Sequence, residues 1–479
     1  MKRSAMLQAA GDAAIQWDMI VIGGGATGLG VALDAAARGY RTLLLEQGDF
    51  AEGTSSRSTK LIHGGVRYLR NGELGLVRDS LRERGRLLRN APHLVRPLAF
   101  VVPGYRWYEP FYYGAGLTAY DWLSGRLGIG RTRPLSHGGV VERIPNLRRA
   151  GLRGGTLYWD GQFDDARLAI ALAKTAAARG ATVLNHAPVV ELIKESGRVT
   201  GVLARDRLGG VEIRARGRVV VNATGVFADG VRRLDDPASE SVIEPSQGIH
   251  LVLDAGFLGG DTAVMIPKTD DGRVLFAIPW HGRLVVGTTD TDGVPVSTDP
   301  RPLEAEIDYL IAHVGRYLER VPTRADVKAT FAGLRPLVRP KSAAAATKSI
   351  SRDHSLFVSD SGLVTITGGK WTTYRKMAED TVDRAAAVGG LPMQPCLTGD
   401  LTLLDRNPGE ALAAENPDWR ERLDPELPWT VADAVAAVRD EMAATVDDVL
   451  ARRTRVAFLD EAAARRCEPR VAEILRREV

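Results

Sequence analysis

Residues 19–46 constrain this chain more than any other stretch. Met19-Ile20-Val21-Ile22 is a short apolar run followed at once by Gly23-Gly24-Gly25-Ala26-Thr27-Gly28. A helical pattern over about Leu29 to Arg38 comes next, with Gly39 where a C-terminal cap is expected. Thr42-Leu43-Leu44-Leu45 reads as a second strand and ends in Glu46. Strand, glycine turn, helix, strand and acid in this register are what a dinucleotide fold requires. Gly23 permits the tight turn, Gly25 lets the backbone approach a pyrophosphate, and Gly28 lets helix and strand pack closely. The phosphates would sit at the helix N-terminus, where unsatisfied N–H groups and the dipole favour anions. Glu46 is placed to accept hydrogen bonds from a ribose diol. A glycine-rich surface loop explains the glycines alone, but not the strands and acid around them.

One such turn serves one nucleotide, so FAD and NAD remain to be separated. Val219-Val220-Val221-Asn222-Ala223-Thr224-Gly225 is a second strand ending in a small-residue turn, and Thr365-Ile366-Thr367-Gly368-Gly369-Lys370-Trp371-Thr372-Thr373 is a third. A long flavin dinucleotide laid across a sheet needs several close backbone approaches far apart in sequence, and three turns favour FAD.

The 479 residues suggest roughly three domains or lobes at about 150 residues each. Between about 240 and 340 the pattern is strands with short turns, an antiparallel sheet lobe. Beyond Pro392 and Pro395, Ala, Arg, Asp and Glu recur at helical spacing, with Val435, Val438 and Met442 on one face, so about 400–479 reads as a helical C-terminal domain. Two cysteines, Cys396 and Cys467, are too few for an iron–sulfur cluster or a zinc ribbon, and fit a reducing compartment. No run of 18 apolar residues spans a bilayer, and the first residues lack the continuous apolar core of a secretory signal. The formal charge of +4 is scattered rather than gathered into a stripe, which argues against a nucleic-acid partner.

Further blocks resemble FAD-dependent glycerol-3-phosphate dehydrogenases of the aerobic type. They are Thr54-Ser55-Ser56-Arg57-Ser58-Thr59-Lys60-Leu61-Ile62-His63-Gly64-Gly65-Val66-Arg67-Tyr68-Leu69, then Asp164-Asp165-Ala166-Arg167, Ile278-Pro279-Trp280, Gly287-Thr288-Thr289-Asp290, Gly333-Leu334-Arg335-Pro336-Leu337 and Gly368 to Arg375. Arg452-Arg453-Thr454-Arg455 is similar to part of that family's helical cap, and the cap here is shorter than usual.

The resemblance implies an α/β fold: an FAD-binding Rossmann-like domain of the glutathione-reductase/D-amino-acid-oxidase type, an antiparallel-sheet substrate lobe and a helical C-terminal cap. It divides the chain into an oxidoreductase region, 1–395, and a helical domain, 396–479. FAD-binding segments fall at about 17–80, 150–235 and 340–390, with the substrate lobe at about 81–149 and 236–339. FAD would be held non-covalently by Gly23, Gly25, Gly28, Glu46, Thr54, Ser55, Ser58, Lys60, Ala223, Gly225, Gly368, Gly369 and Thr372. Arg67, Tyr68, Arg352 and Lys370 would bind glycerol 3-phosphate, with no metal involved. Oxidising the C2 hydroxyl moves a hydride to the flavin while a base takes the proton, and a dianionic phosphate calls for fixed cations, preferably Arg. Arg335 and His250 are the polar groups expected to assist proton removal. An arginine is a poor base and a histidine titrates near neutrality, but the sequence leaves the assignment open. Lys60 and His63 could equally cap backbone around the FAD loop, and Tyr374 and Arg375 read as helix and packing residues.

Between Phe100 and Trp122 lie Tyr105, Trp107, Tyr108, Phe111, Tyr112, Tyr113 and Tyr120, flanked by Arg96, Arg106, Arg126, Arg131 and Arg133. Aromatics interleaved with Arg suit the headgroup level of a membrane, and an aromatic core fits the sequence as well. The resemblance favours the membrane: a peripheral protein of the cytoplasmic membrane that passes electrons to quinone. Its partners would be glycerol 3-phosphate, membrane quinone and an anionic membrane surface, with a homodimer as the candidate assembly. The rivals are a glycerol-3-phosphate oxidase using oxygen, an FAD-dependent amine or amino-acid oxidase of the same fold and, outside enzymes, a flavin-bearing RNA-binding protein.

Overall fold

β1 (Gln16–Ile22) sits inside a parallel sheet, which is why its core residues Met19, Ile20 and Val21 form an unbroken apolar run with no exposed surface. In this computed structural model, which describes residues 1–65, 73–339, 354–404 and 408–478, β1 pairs in parallel with β2 (Thr42–Leu45) on one side and β10 (Glu212–Asn222) on the other. β7 (Thr182–Leu184) extends the sheet beyond β2, β18 (Val364–Gly368) extends it beyond β10, and antiparallel β17 (His354–Val358) forms the far edge. An antiparallel ribbon of β8 (Val189–Glu195) and β9 (Arg198–Arg205) continues the N-terminal half of β10. Helices Ala26–Ala37, Asp165–Ala178 and Tyr374–Val388 pack with this sheet in the largest hydrophobic core. The expected strands and helices of this half recur within a few residues, and Gly39 adopts a φ of 88° at the helix end, as its capping role requires.

The second sheet is antiparallel except where β4 (Val95–Gly104) meets β12 (Ala263–Ile266). Its order is β15 (Thr291–Asp292), β11 (Ile243–Asp254), β14 (Arg283–Gly287), β13 (Leu275–Trp280), β12, β4, β6 (Gly154–Phe163) and β3 (Leu61–Ile62). β16 (Ala329–Val338) pairs along β11, and β5 (Arg133–Leu135) along β6. β6 falls in a stretch the sequence assigns to FAD binding, yet it pairs with β4 over its whole length. Local pattern cannot tell which of two sheets a buried strand will join.

The C-terminal helices, chiefly Val431–Glu441 and Glu461–Glu478, cover the back of this second sheet and share a core with Val252, Trp280, Val285, Ala329 and Phe331. The first of them ends where Met442 takes a left-handed conformation, so Met442 terminates the helix instead of continuing its apolar face. A π-helical turn at Asp448–Arg453 then presents consecutive arginines to the rest of the protein. Arg452 and Arg453 both reach Asp49, and Arg455 donates to Asp165 and to the Ser56 carbonyl. The cap is thereby anchored to the loop that follows β2.

Candidate active site

A cavity of about 490 Å³ opens between the two sheets, within the range of small-molecule and cofactor sites. Its floor is the first turn. Gly23 has a φ of 110°, and a Cβ there would lie 2.6 Å from the Ala223 carbonyl oxygen. A Cβ on Gly28 would collide with the Gly23 carbonyl, so only glycine allows this approach of helix to strand. Gly25 faces Ser55, whose Oγ accepts the Ala26 N–H at 2.9 Å where the helix begins. The Glu46 carboxylate accepts the Gly24 N–H at 2.5 Å and the Gly48 N–H at 2.9 Å. Burial raises its pKa despite the opposing amides of Gly48 and Gly24.

The other two turns form the facing wall. Ala223 and Gly225 follow β10, while Gly368 ends β18 and Gly369, Lys370 and Thr372 come after it, all on the cavity surface. Gly225, Gly368 and Gly369 have φ of 58°, 78° and 74°, a region glycine enters without strain. Trp371 Nε1 donates to the Ser55 carbonyl at 2.8 Å and Thr372 Oγ1 to the His63 carbonyl at 3.2 Å, tying this turn to the 54–63 loop. Thr54, Ser55 and Ser58 also line the cavity. Thr54 Oγ1 donates to the Leu334 carbonyl at 2.6 Å and Ser58 Oγ to Asp165 at 2.7 Å, so both hydroxyls also hold the loop in shape.

Lys60 is placed differently from the expectation. It does not line the cavity: with a φ of 63° its side chain turns away, is fully buried, and bonds Asp165 and the Ser56 carbonyl at 2.7 Å each. Capping of the loop, the alternative reading of this residue, describes its contacts. Arg67, Tyr68 and Arg352 lie outside the described residues.

His250 and Arg335 enter from the second sheet. In the β11–β16 register His250 faces Phe331, and the two rings stack with centroids 4.7 Å apart. On its other side His250 faces Gly287 of β14, where any Cβ would strike the imidazole. Thr59 Oγ1 lies 2.9 Å from His250 Nε2. Burial, then Lys60 and Arg335, push the imidazole pKa well below its ordinary value, favouring the uncharged ring. Arg335 pairs with Asp290 at 2.8 Å and donates to Thr288 Oγ1 and to the Thr289 carbonyl at 3.0 and 2.9 Å. Gly248 leaves the room this guanidinium occupies, since a Cβ there would overlap Arg335 and come within 2.6 Å of Thr288 Oγ1. Thr59, Thr288 and Asp290 were not singled out by sequence reasoning, although all three belong to the blocks that carry the family resemblance.

The cavity has the features an extended flavin dinucleotide needs: glycine turns from three distant segments, a helix N-terminus, and an acid behind the first turn. His250, Arg335 and Lys370 share its wall. FAD fits this cradle.

Residues 18–375 match the family described as FAD dependent oxidoreductase, and residues 409–479 match the C-terminal domain of alpha-glycerophosphate oxidase. A mitochondrial glycerol-3-phosphate dehydrogenase of Arabidopsis thaliana is 41% identical over 96% of this chain and 82% of its own length. The corresponding protein of Homo sapiens is 40% identical over 97% of this chain and 71% of its own. The structure of the glycerol-3-phosphate dehydrogenase from Bacillus halodurans complexed with FAD superimposes with a TM-score of 0.78 at 31% identity, covering 99% of this chain and 93% of that one. Glycine oxidase from Geobacillus kaustophilus, at 20% identity and a TM-score of 0.57, shares the fold.

Proposed function

Since this chain belongs to the FAD-dependent glycerol-3-phosphate dehydrogenases, we propose that its cavity oxidises the C2 carbinol of sn-glycerol 3-phosphate to dihydroxyacetone phosphate and that the electrons leave for a membrane quinone. FAD, when bound, supplies the hydride acceptor. The observation that carries the assignment of roles is that a buried histidine and an ion-paired arginine lie on one wall of the cavity that the glycine turns line. Arg335, paired with Asp290, stays protonated and cannot serve as a base, so it holds and polarises the carbinol oxygen. His250, oriented by Thr59 and stacked on Phe331, takes the hydroxyl proton. Lys370 on the same wall, with Arg67, Tyr68 and Arg352 by family resemblance, binds the phosphate dianion.

The test is reduction of an artificial dye with glycerol 3-phosphate, glycerol, glycine and sarcosine as donors. Turnover with glycerol 3-phosphate alone is expected, and faster turnover with glycine would overturn the phosphate reading. Oxygen is the second candidate acceptor, favoured by the match of 409–479 to an oxidase's C-terminal domain. Stoichiometric peroxide from glycerol 3-phosphate in air, with no acceleration by a soluble quinone analogue, would establish it.

Peripheral attachment to the cytoplasmic membrane is supported by the helix Glu109–Ser124 and the turn before it, where Trp107, Phe111, Tyr112 and Trp122 are 78%, 76%, 60% and 86% exposed. Phe100 and Tyr120 are fully buried, so the aromatic stretch divides into a core part and an outward-facing part. Among the described residues no helix is long and apolar enough to cross a membrane. Exposed Trp, Phe and Tyr beside Arg106, Arg131 and Arg133 suit shallow insertion into an anionic surface.

A further inference from the structure

Thr59 and Lys60 are neighbours whose side chains go opposite ways. Thr59 lines the cavity and meets His250 Nε2, whereas Lys60, with its positive φ, runs to Asp165 and the Ser56 carbonyl. The Lys60 ammonium lies 4.9 Å from the centroid of Phe331, the ring on which His250 stacks, and 5.2 Å from that of Trp280. In this nest the ammonium is held by Asp165 and the Ser56 carbonyl at 2.7 Å each. A buried cation is costly unless it is paired and hydrogen-bonded, and a lysine so held keeps its charge fixed beside Phe331, Trp280 and Phe458.

We propose that Lys60 is a positioning residue of the reaction centre: its ammonium, beside the Phe331 ring on which His250 stacks, disfavours a second positive charge on the imidazole, while Thr59 fixes that ring's orientation. The proposal rests on the reading of His250 as the base. The charged groups around the pair account for themselves. Lys60 is faced by Asp165 from the helix Asp165–Ala178 and by Arg455 from the cap, whose guanidinium lies 3.0 Å from Asp165 and 3.6 Å from Asp164. His250 is faced by Thr59 and Lys60 from the loop and by Arg335 from β16, itself offset by Asp290, with Lys370 elsewhere on the cavity wall. Asp165 therefore shares its charge between two cations, and its carboxylate cancels the field of Lys60 only in part.

Burial pushes the Lys60 pKa down to about 7 against the pull of Asp165. Below pH ~7 the ammonium is consequently charged, and that is the range in which an ordinary histidine would itself take up a proton. Above that pH the histidine is neutral in any case. The lysine acts where its charge is needed.

The test compares wild type with Lys60→Met and Lys60→Gln, the latter keeping an N–H donor for Ser56 and Asp165. The expected result is that the acidic limb of kcat/KM for glycerol 3-phosphate moves up by about one pH unit in both variants, with FAD content unchanged. Lys60→Arg, which restores a fixed cation, should return the limb to the wild-type position. A readout independent of turnover is the imidazole titration followed by NMR in histidine-labelled holoenzyme, with the resonance assigned by its loss in His250→Gln. It should rise in parallel. Folded, FAD-loaded variants whose limb and imidazole titration both coincide with wild type would overturn the role of Lys60. If His250→Gln keeps wild-type kcat/KM and the same acidic limb, it is the reading of His250 as base that fails. Should Lys60→Met not fold, Lys60→Gln carries the same two measurements.

Discussion

Asp49 and Arg453, separated by 404 positions, meet in a two-pronged ion pair with donor–acceptor distances of 2.6 and 2.9 Å, both side chains almost wholly buried. Arg452 shares the same carboxylate at 2.6 Å and reaches Asp448, which in turn holds His186. The loop after β2, one edge of the flavin-binding region, is thus clamped directly to the C-terminal cap.

Replacing Arg453 by Met should destabilise the protein by about 3–5 kcal/mol, because Asp49 keeps a buried charge with one cation fewer. Thermal unfolding checks this, and limited proteolysis should release the cap helices first. A melting temperature shifted no more than by an ordinary surface substitution would show that the clamp contributes little.

Acid should loosen the same junction. Burial alone would raise the Glu441 carboxyl, but Arg167, then Lys174 and Arg453, hold it down at about 2. A depressed folded-state pKa gives stability that is fully present above the ordinary value near 4.5 and is lost as pH falls toward 2. The contribution is at most about 3 kcal/mol. Melting curves from pH 6 down to pH 3 should therefore fall less steeply for Glu441→Gln, from a lower starting stability, than for wild type.

Gly28→Ala should abolish flavin retention, since the new Cβ has only the Gly23 carbonyl to displace. The ratio of flavin to protein absorbance measures it directly. Full occupancy in a soluble variant would mean the turn relaxes at no cost.

Arg335→Ala should lower kcat/KM for glycerol 3-phosphate by roughly 30-fold to several thousand-fold, the equivalent of about 2–5 kcal/mol for a desolvated charged contact. Because Asp290 is left behind, Arg335→Ala/Asp290→Asn separates loss of the substrate contact from an exposed negative charge. Activity within threefold of wild type with FAD bound would place the substrate elsewhere.

Flotation with anionic vesicles should recover the wild-type protein and lose the variant carrying Ser at Trp107, Phe111 and Tyr112. Each cation near the surface adds about 1 kcal/mol, so salt should weaken binding without eliminating it. Equal binding by the variant would assign attachment to another face.

The nucleotide-binding half was legible because its signals are local. Strand, turn, helix and acid between Met19 and Glu46 follow one another in sequence, and steric exclusion at Gly23 and Gly28 permits no other residue. The second half resisted for the opposite reason. That β6 joins β4, that His250 stacks on Phe331, and that Gly287 exists to make room for an imidazole are all consequences of pairing between distant strands. Lys60 shows the limit most plainly. Its neighbours Ser58, Thr59 and Leu61 line the cavity, and one left-handed residue turns its side chain away from them.

The order of strands in the first sheet has a consequence for synthesis. β18 lies beside β10 and its trailing turn closes the cavity wall, while the cap arginines lock the loop on the opposite edge. A ribosome must therefore make the turn at 368–372 before the cradle has its last wall, and Arg452 and Arg453 before the clamp can shut. The first glycine turn is thus synthesised long before the wall that faces it, and a growing chain offers no complete cradle until Thr372 has emerged.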